Sequence, residues 1–124
     1  MVDTRTRRVR GTIPTGRGTC GLAATADGEV LYASNDGDDA VSVIDPVRAR
    51  VTATYSARAA LERAGVRGTL QGISTGGAGE VYVYGCSGNG LLARFARTDT
   101  GVALTLAWRN GRWRGEAVVT AEAE

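Results

Sequence analysis

Residues 12–54 constrain the fold of this chain more than any other part, because four strand-like segments there alternate with explicit turn signals. Val, Leu, Ile, Thr and Tyr, which suit a pleated surface, dominate each segment, and Gly, Asp, Asn and Pro separate them. The predicted strands are Gly21–Thr25, Glu29–Ser34, Ala40–Ile44 and Arg50–Tyr55. Four such strands cannot bury their own faces, so the pattern predicts repetition or assembly.

The order of residues in this stretch resembles the YVTN family of β-propeller repeats, and the match runs over roughly a third of the chain without a gap. Matching residues are Ile13-Pro14, Gly21-Leu22-Ala23, Asp27-Gly28, Leu31-Tyr32, Asn35, Gly37-Asp38 and 41–45. Thr19-Cys20 stand where that family usually has a proline. The resemblance implies one four-stranded propeller blade within residues 9–55.

A second copy follows when the sequence is moved by 51 residues, which aligns Gly21 with Gly72 and Ile44 with Phe95. Self-similarity at a fixed offset is the usual signature of repeats. This copy, within residues 67–108, resembles the related NHL-type blade. We therefore predict one all-β domain of two propeller-like blades joined by a helix-prone linker, 56–66. Two blades do not close a propeller, so oligomerisation or a longer parent chain would complete it.

A second interpretation of the middle of the chain is an α/β fold. Asp45-Pro46 suits a helix start, 56–64 contains strong helix formers, and Gly65 suits a helix end. A helix over 46–64 between two strand groups is similar to the roadblock/LC7 family of homodimeric GTPase regulators. The β-branched residues of 41–44 and 51–55 instead favour strands.

Composition limits the chemistry available to the chain. All fifteen basic residues are arginine, and there is neither histidine nor lysine. The common Ser-His-Asp and Cys-His systems and lysine Schiff-base chemistry are therefore excluded, and we expect no enzymatic activity and no cofactor. A net charge of +2 argues against nucleic acid as the partner, despite four arginines among residues 5–10. No secretory signal or membrane span is visible, which favours a cytoplasmic protein or a piece of an exported parent.

Two groups of residues have ligand-type side chains without ligand-type spacing. Cys20 and Cys86 do not form a CxxC or zinc motif, and we expect two independent reduced thiols. The acidic turn 35–39 departs from the EF-hand calcium pattern, and we expect its side chains to bond to their own backbone. No metal site is predicted.

The C-terminal segment predicts a hairpin, with Asn110-Gly111 as a two-residue turn and a returning strand within 112–120. This register places Trp108 opposite Trp113, Arg109 opposite Arg112 and Ala107 opposite Arg114. Tryptophan and arginine side chains can stack on sugars or on protein partners. We therefore predict Trp108, Arg112 and Trp113 as the binding residues.

The predicted function is a non-enzymatic binding or protein-interaction module. Its expected partners are another protein or further copies of the chain in a homo-oligomer. Two alternatives remain at this point: the roadblock-like regulator of a small GTPase, and a two-blade lectin that binds carbohydrate.

Overall fold

The computed structural model describes residues 1–65, 70–85, 90–99 and 101–107 in full and residues 114–118 and 120–122 by their backbone. The strands within these ranges are β1 (Val2–Asp3), β2 (Arg8–Val9), β3 (Thr19–Ala24), β4 (Leu31–Asn35), β5 (Ala40–Asp45), β6 (Arg50–Ser56), β7 (Leu70–Thr75), β8 (Val81–Gly85), β9 (Leu92–Thr98), β10 (Gly101–Ala107), β11 (Arg114–Val118) and β12 (Thr120–Glu122). They also contain the helix α1 (Arg58–Ala64) and the 3-10 turns Asp36–Asp38 and Gly77–Gly79.

The strands form two antiparallel sheets and one small N-terminal hairpin. Sheet 1 has the order β12-β6-β5-β4-β3, and sheet 2 has the order β11-β10-β9-β8-β7. Each sheet is therefore a meander of four consecutive strands, β3–β6 or β7–β10, extended at one edge by a strand from the C-terminal segment. The prediction of an all-β chain with two four-stranded units is confirmed.

Side chains that bond to the backbone of their own turns explain why the strands of the first meander could be predicted from the sequence. The side chain of Asp27 accepts a hydrogen bond from the backbone N–H of Glu29 at 2.9 Å, and Gly28 has a φ of 73°. At the turn between β5 and β6, Asp45 accepts from the backbone N–H groups of Val47 and Arg48. These turns reverse the chain where the sequence predicts, and the strand ends differ from the predicted ones by at most two residues.

Both sheets have a β-bulge at the same place in their first strand. In β3 the register shifts just before Gly21, and in β7 it shifts just before Gly72. The 51-residue offset of the sequence superimposes these bulges. The turn 25–30 of sheet 1 corresponds to the shorter turn 76–80 of sheet 2. The second strands therefore correspond one residue differently from the ungapped alignment.

The long helix predicted over 46–64 in the α/β interpretation is wrong. Residues Arg50–Ser56 form a strand that pairs with β5, and the helix is limited to Arg58–Ala64. The β-branched residues of 51–55 favour the pleated conformation, and pairing with β5 satisfies their backbone groups. Gly65 ends the helix with a φ of 66°, as predicted. Residues 46–64 thus do not form the central helix that a roadblock-like fold requires.

The core lies between the two sheets. The ring of Tyr55 in sheet 1 packs on Phe95 in sheet 2 with centroids 5.6 Å apart, and Tyr32 packs beside Tyr55. The helix contributes Ala60 and Leu61, which are both buried. Buried valine, leucine and alanine side chains from both sheets complete this cluster: Val41, Val43, Leu70, Val81, Val83, Leu91, Ala93, Val102, Leu104 and Leu106.

The sheets approach most closely where β3 meets β7. The hydroxyl of Ser34 donates to the carbonyl oxygen of Gln71 at 2.6 Å. A Cβ atom on Gly21 would lie 2.9 Å from that same carbonyl oxygen and 2.9 Å from Cγ2 of Ile73. Only a residue without a side chain permits this contact, so Gly21 sets the spacing of the two sheets at this end.

The other face of sheet 1 is covered by the chain that precedes β3. Ser42 is fully buried there, and its hydroxyl donates to the carbonyl oxygen of Thr15 at 3.2 Å. The buried amide of Asn35 donates to Ser42 at 2.8 Å and accepts from Thr19 at 2.8 Å. This network fixes the N-terminal segment to sheet 1, and Ile44 is buried on the same face.

Candidate functional site

The predicted binding residues Trp108, Arg112 and Trp113 lie outside the described residues, as does the turn at 110–111. The strands on either side are described, and their register differs from the predicted one. Arg114 pairs with Leu106, whereas a two-residue turn requires Ala107 opposite Arg114. The predicted pairing of Arg114 with Ala107 is therefore wrong by one residue. After Val118 the chain leaves sheet 2, and Thr120–Glu122 pairs with β6 of sheet 1.

The acidic turn 35–39 is held by neighbouring segments. The carboxylate of Asp38 accepts from the backbone N–H of Arg17 at 2.9 Å and from its guanidinium at 3.1 Å. These bonds hold the pKa of Asp38 below its usual value. Asp36 accepts from the side-chain amide of Gln71 at 2.9 Å. The expectation that these side chains bond to their own backbone is therefore incorrect, because they join the turn to two other segments.

The third carboxyl in that turn belongs to Asp39. Burial raises the pKa of Asp39, and the positive charge of Arg58 acts in the opposite direction. Across the described part of the chain, no three side chains of the types His, Cys, Asp and Glu are grouped for a metal ion. Cys20 is a free, exposed thiol, and Cys86 lies outside the described residues. The contacts observed for the acidic turn include those to Arg17 and Gln71.

One face of sheet 2 is open to solvent. We define the open face as Tyr82 and Tyr84 of β8, Leu92 and Arg94 of β9, and Thr105 of β10, which are all half-buried or exposed. Side chains at alternate positions point to the opposite face and are buried in the core. The open face thus presents two tyrosines and one arginine on an antiparallel sheet.

A charged triad stiffens the open face. Arg94 donates to a carboxylate oxygen of Glu80 at 2.6 Å, and the phenol of Tyr82 donates to the same oxygen at 3.0 Å. The hydrogen bond from Arg94, followed by that from Tyr82, lowers the pKa of Glu80. Glu80 therefore stays ionised at neutral pH, and the face carries one fixed cation beside one fixed anion.

The ring of Tyr84 lies across the neighbouring strand. Tyr84 pairs with Gly72 of β7, and a methyl group at Gly72 would overlap the tyrosine ring. Tyr82 lies in a similar way near Gly76, where a Cβ atom would be 2.9 Å from its ring. The absence of side chains at Gly72 and Gly76 thus leaves room for these two rings. Tyr84 remains 47% exposed.

The open face of sheet 2 corresponds to the face of sheet 1 that packs on sheet 2. Because the bulges make Gly21 and Gly72 equivalent, their ladder partners Ser34 and Tyr84 are equivalent as well. Ser34 is fully buried at the sheet-to-sheet contact, whereas Tyr84 faces solvent.

The same correspondence holds in the centre of each sheet. Tyr32 pairs with Val43 in sheet 1, and Tyr82 pairs with Arg94 in sheet 2. Tyr32 is 4% exposed and Val43 is 9% exposed, whereas the Arg94 side chain is 40% exposed. The two sheets therefore stack in the same sense, and the second sheet leaves uncovered the face that the first sheet buries.

A separate cleft lies between the two sheets, at the end where the β3–β4 and β5–β6 turns meet. Its volume is about 310 Å³. Tyr32, Tyr55, Val43 and Ala53 of sheet 1 line one wall, and Arg97 extends into it from sheet 2. The remaining lining residues are Glu29, Val30, Ile44, Asp45 and Thr52. The cleft therefore combines an apolar wall with two phenols and one guanidinium.

Burial raises the pKa of both phenols that line this cleft, Tyr32 and Tyr55, and the charge of Arg97 acts in the opposite direction. Both phenols are consequently protonated at neutral pH. No pattern in the sequence indicates this cleft directly. Its residues come from four strands and one turn, and their convergence depends on how the two sheets stack.

No protein-family model matches the chain, and no curated protein matches it. Among solved structures, the chain is similar to hydrazine synthase of Kuenenia stuttgartiensis, with 22% identity and a TM-score of 0.51. The similarity covers 95% of this chain and 42% of that one, so the chain spans less than half of the length of the structure that it matches. At this identity the likeness is one of fold. No helix of the described residues is long and apolar enough to cross a membrane.

Proposed function

We propose that this protein is a non-enzymatic interaction module that binds a second copy of itself through the open face of sheet 2. The single observation that supports this proposal is the correspondence of the two sheets. The face with Tyr82 and Arg94 is equivalent to the face with Tyr32 and Val43, which is buried on a neighbouring sheet. Sheet-on-sheet stacking is thus a contact that this fold already makes once.

The surfaces that remain exposed decide which part of the second copy contacts the open face. Head-to-tail stacking would place the open face of one copy on the outer face of sheet 1 in the next copy. The N-terminal segment covers that outer face, where Ser42 bonds to Thr15 and Ile44 is buried. An endless stack or ring is therefore disfavoured, and two open faces meeting about a two-fold axis is the arrangement that remains.

Charge supports a two-fold arrangement. The open face carries the cation of Arg94 and the anion of Glu80 side by side. A two-fold rotation brings the same surface onto itself, so each cation can approach the anion of the partner copy. Exposed tyrosines such as Tyr84 supply rigid apolar area within such a contact.

The composition of the chain and the contacts of the acidic turn support the proposal that the protein is not an enzyme. The chain has no histidine or lysine for general-base or Schiff-base chemistry. The carboxylates of Asp36 and Asp38 are occupied by hydrogen bonds to neighbouring segments.

The test is the mass of the full chain in solution, measured by light scattering and by native mass spectrometry. We expect a dimer of the 12.9 kDa chain. Tyr84→Arg adds a cation to the open face of each copy, so like charges meet in the two-fold contact, and we expect dimerisation to weaken at least about tenfold. Val47→Arg is the matched control, because Val47 is 91% exposed on the β5–β6 turn, away from the open face.

Two results would contradict the proposal. A wild-type monomer at concentrations of roughly 100 μM would leave the open face without the proposed occupant. A ring or filament, or a Val47→Arg variant that dissociates as readily as Tyr84→Arg, would move the contact to another surface.

A further inference from the structure

We propose that the cleft between the two sheets binds a small organic monocarboxylate with an apolar body. The carboxylate would bond to the guanidinium of Arg97 and to the phenols of Tyr32 and Tyr55. This site is separate from the dimer contact, because the cleft lies on the opposite side of sheet 2 from the open face.

The position of Arg97 supplies the anion-binding group. Arg97 lies two residues beyond Phe95 on the same face of β9, so it follows the core residue out to the mouth of the cleft. Within the described residues, no carboxylate forms an ion pair with Arg97. A guanidinium presents paired donors that match the two oxygens of a carboxylate.

The two phenols supply further donors. Tyr32 and Tyr55 both line the cleft, and the charge of Arg97 acts on both of them. A protonated phenol can donate a hydrogen bond to a carboxylate oxygen. Tyr82 makes such a bond to Glu80 beside the open face, at 3.0 Å.

The remaining walls determine the rest of the ligand. Val30, Val43 and Ala53 offer apolar surface, and a volume of about 310 Å³ is at the small end of ligand pockets. Glu29 and Asp45 add negative charge to the lining. The carboxylate of Asp45 is engaged by its own turn, through the backbone N–H groups of Val47 and Arg48 and through an ion pair with the guanidinium of Arg48 at 3.8 Å.

This charge distribution favours one negative charge on the ligand over two. A single carboxylate can bond to Arg97 while its body lies on the apolar wall. A second carboxylate would approach Glu29 and be repelled. The class of ligand is therefore an aromatic or short aliphatic monocarboxylic acid.

The experiment titrates the full chain with benzoate at pH 7 and follows backbone amide shifts by NMR. Benzamide, which has the same shape without the charge, and phthalate, which has two charges, are the matched ligands. We expect saturable benzoate shifts at residues around the cleft and binding at least tenfold weaker for both other ligands. Arg97→Gln should weaken benzoate binding at least tenfold, and Tyr55→Phe should weaken it by a smaller factor.

Arg5→Gln is the control variant, because it removes an arginine from the N-terminal hairpin, which does not line the cleft. Equal binding of benzoate and benzamide, equal effects of Arg97→Gln and Arg5→Gln, or no saturable shift up to roughly 10 mM would overturn the proposal. The mass measurement of the dimer is independent of this titration. A failure of the dimer proposal and a failure of the ligand proposal can therefore be told apart.

Discussion

Replacement of Gly21 by alanine tests the close contact between the two sheets. The new Cβ atom would lie 2.9 Å from the carbonyl oxygen of Gln71, 2.9 Å from Cγ2 of Ile73 and 3.1 Å from the hydroxyl of Ser34. Ordinary contacts to carbon are at least about 3.5 Å, so β7 must move away by roughly half an ångström. Because Gln71 contributes backbone and not the end of a flexible side chain, the movement involves the strand as a whole.

The size of the effect follows from three terms. Overpacking of a close contact costs about 1–3 kcal/mol. Lengthening the hydrogen bond from Ser34 to Gln71 adds up to about 1 kcal/mol. Alanine restricts the unfolded chain and returns about 0.4–1 kcal/mol. We therefore expect Gly21→Ala to lower the free energy of unfolding by about 1–3 kcal/mol.

The assay is equilibrium unfolding in urea, followed by circular dichroism. Gly77→Ala is the matched control, because a Cβ atom there meets no atom within 4 Å. The control should change stability by less than about 0.5 kcal/mol, or increase it slightly. If Gly21→Ala is as stable as Gly77→Ala, the sheets do not approach as described and the reasoning is refuted.

Three further substitutions test the core, the acidic turn and the open face. Phe95→Ala removes a fully buried ring and should cost about 3–5 kcal/mol in urea unfolding. Asp38 has a lowered pKa because of the backbone N–H and side chain of Arg17, so it stabilises the fold above its usual pKa of 3.8, and this stabilisation is lost as the pH falls below that value. Asp38→Asn should therefore reduce the loss of stability between pH 6 and pH 3. Gly72→Ala displaces the ring of Tyr84 and should cost about 1 kcal/mol, and this cost should vanish in a Tyr84→Ala background.

Each of these outcomes has a clear opposite. Leu22→Ala is the control for Phe95→Ala, since Leu22 is exposed, and equal costs would place Phe95 outside the core. An unchanged acid limb in Asp38→Asn would mean that its bonds to Arg17 do not persist in solution. A cost of Gly72→Ala that remains without the Tyr84 ring would have another origin.

The strand pattern of the first meander could be predicted because its signals are local. Asp27 and Asp45 bond to backbone N–H groups two or three residues away, so the sequence itself contains the turns. For residues 46–64 the sequence is compatible with a helix and with a strand, and strand pairing decides between them. A helical spacing of apolar residues exists there, and the strand forms because β5 offers a partner for Arg50–Ser56.

The stacking of the sheets and the candidate site could not be predicted in the same way. The open face and the cleft depend on which side of each sheet meets its neighbour. That choice depends on contacts between distant residues, such as Ser34 with Gln71 and Tyr55 with Phe95. The one-residue error at Arg114 has a similar origin, because the register of a hairpin is decided along its whole ladder.

The pairing of β12 with β6 has a consequence for how the chain folds. Within β3–β6 and β7–β11, every strand pairs with its neighbour in sequence, so these ladders close short loops. Thr120 pairs with Tyr55, which requires a loop of most of the second half of the chain. We expect both meanders to form before β12 adds to sheet 1. Shortening β12 should then leave the folding rate unchanged and accelerate unfolding, so the last residues would govern how long the native state persists.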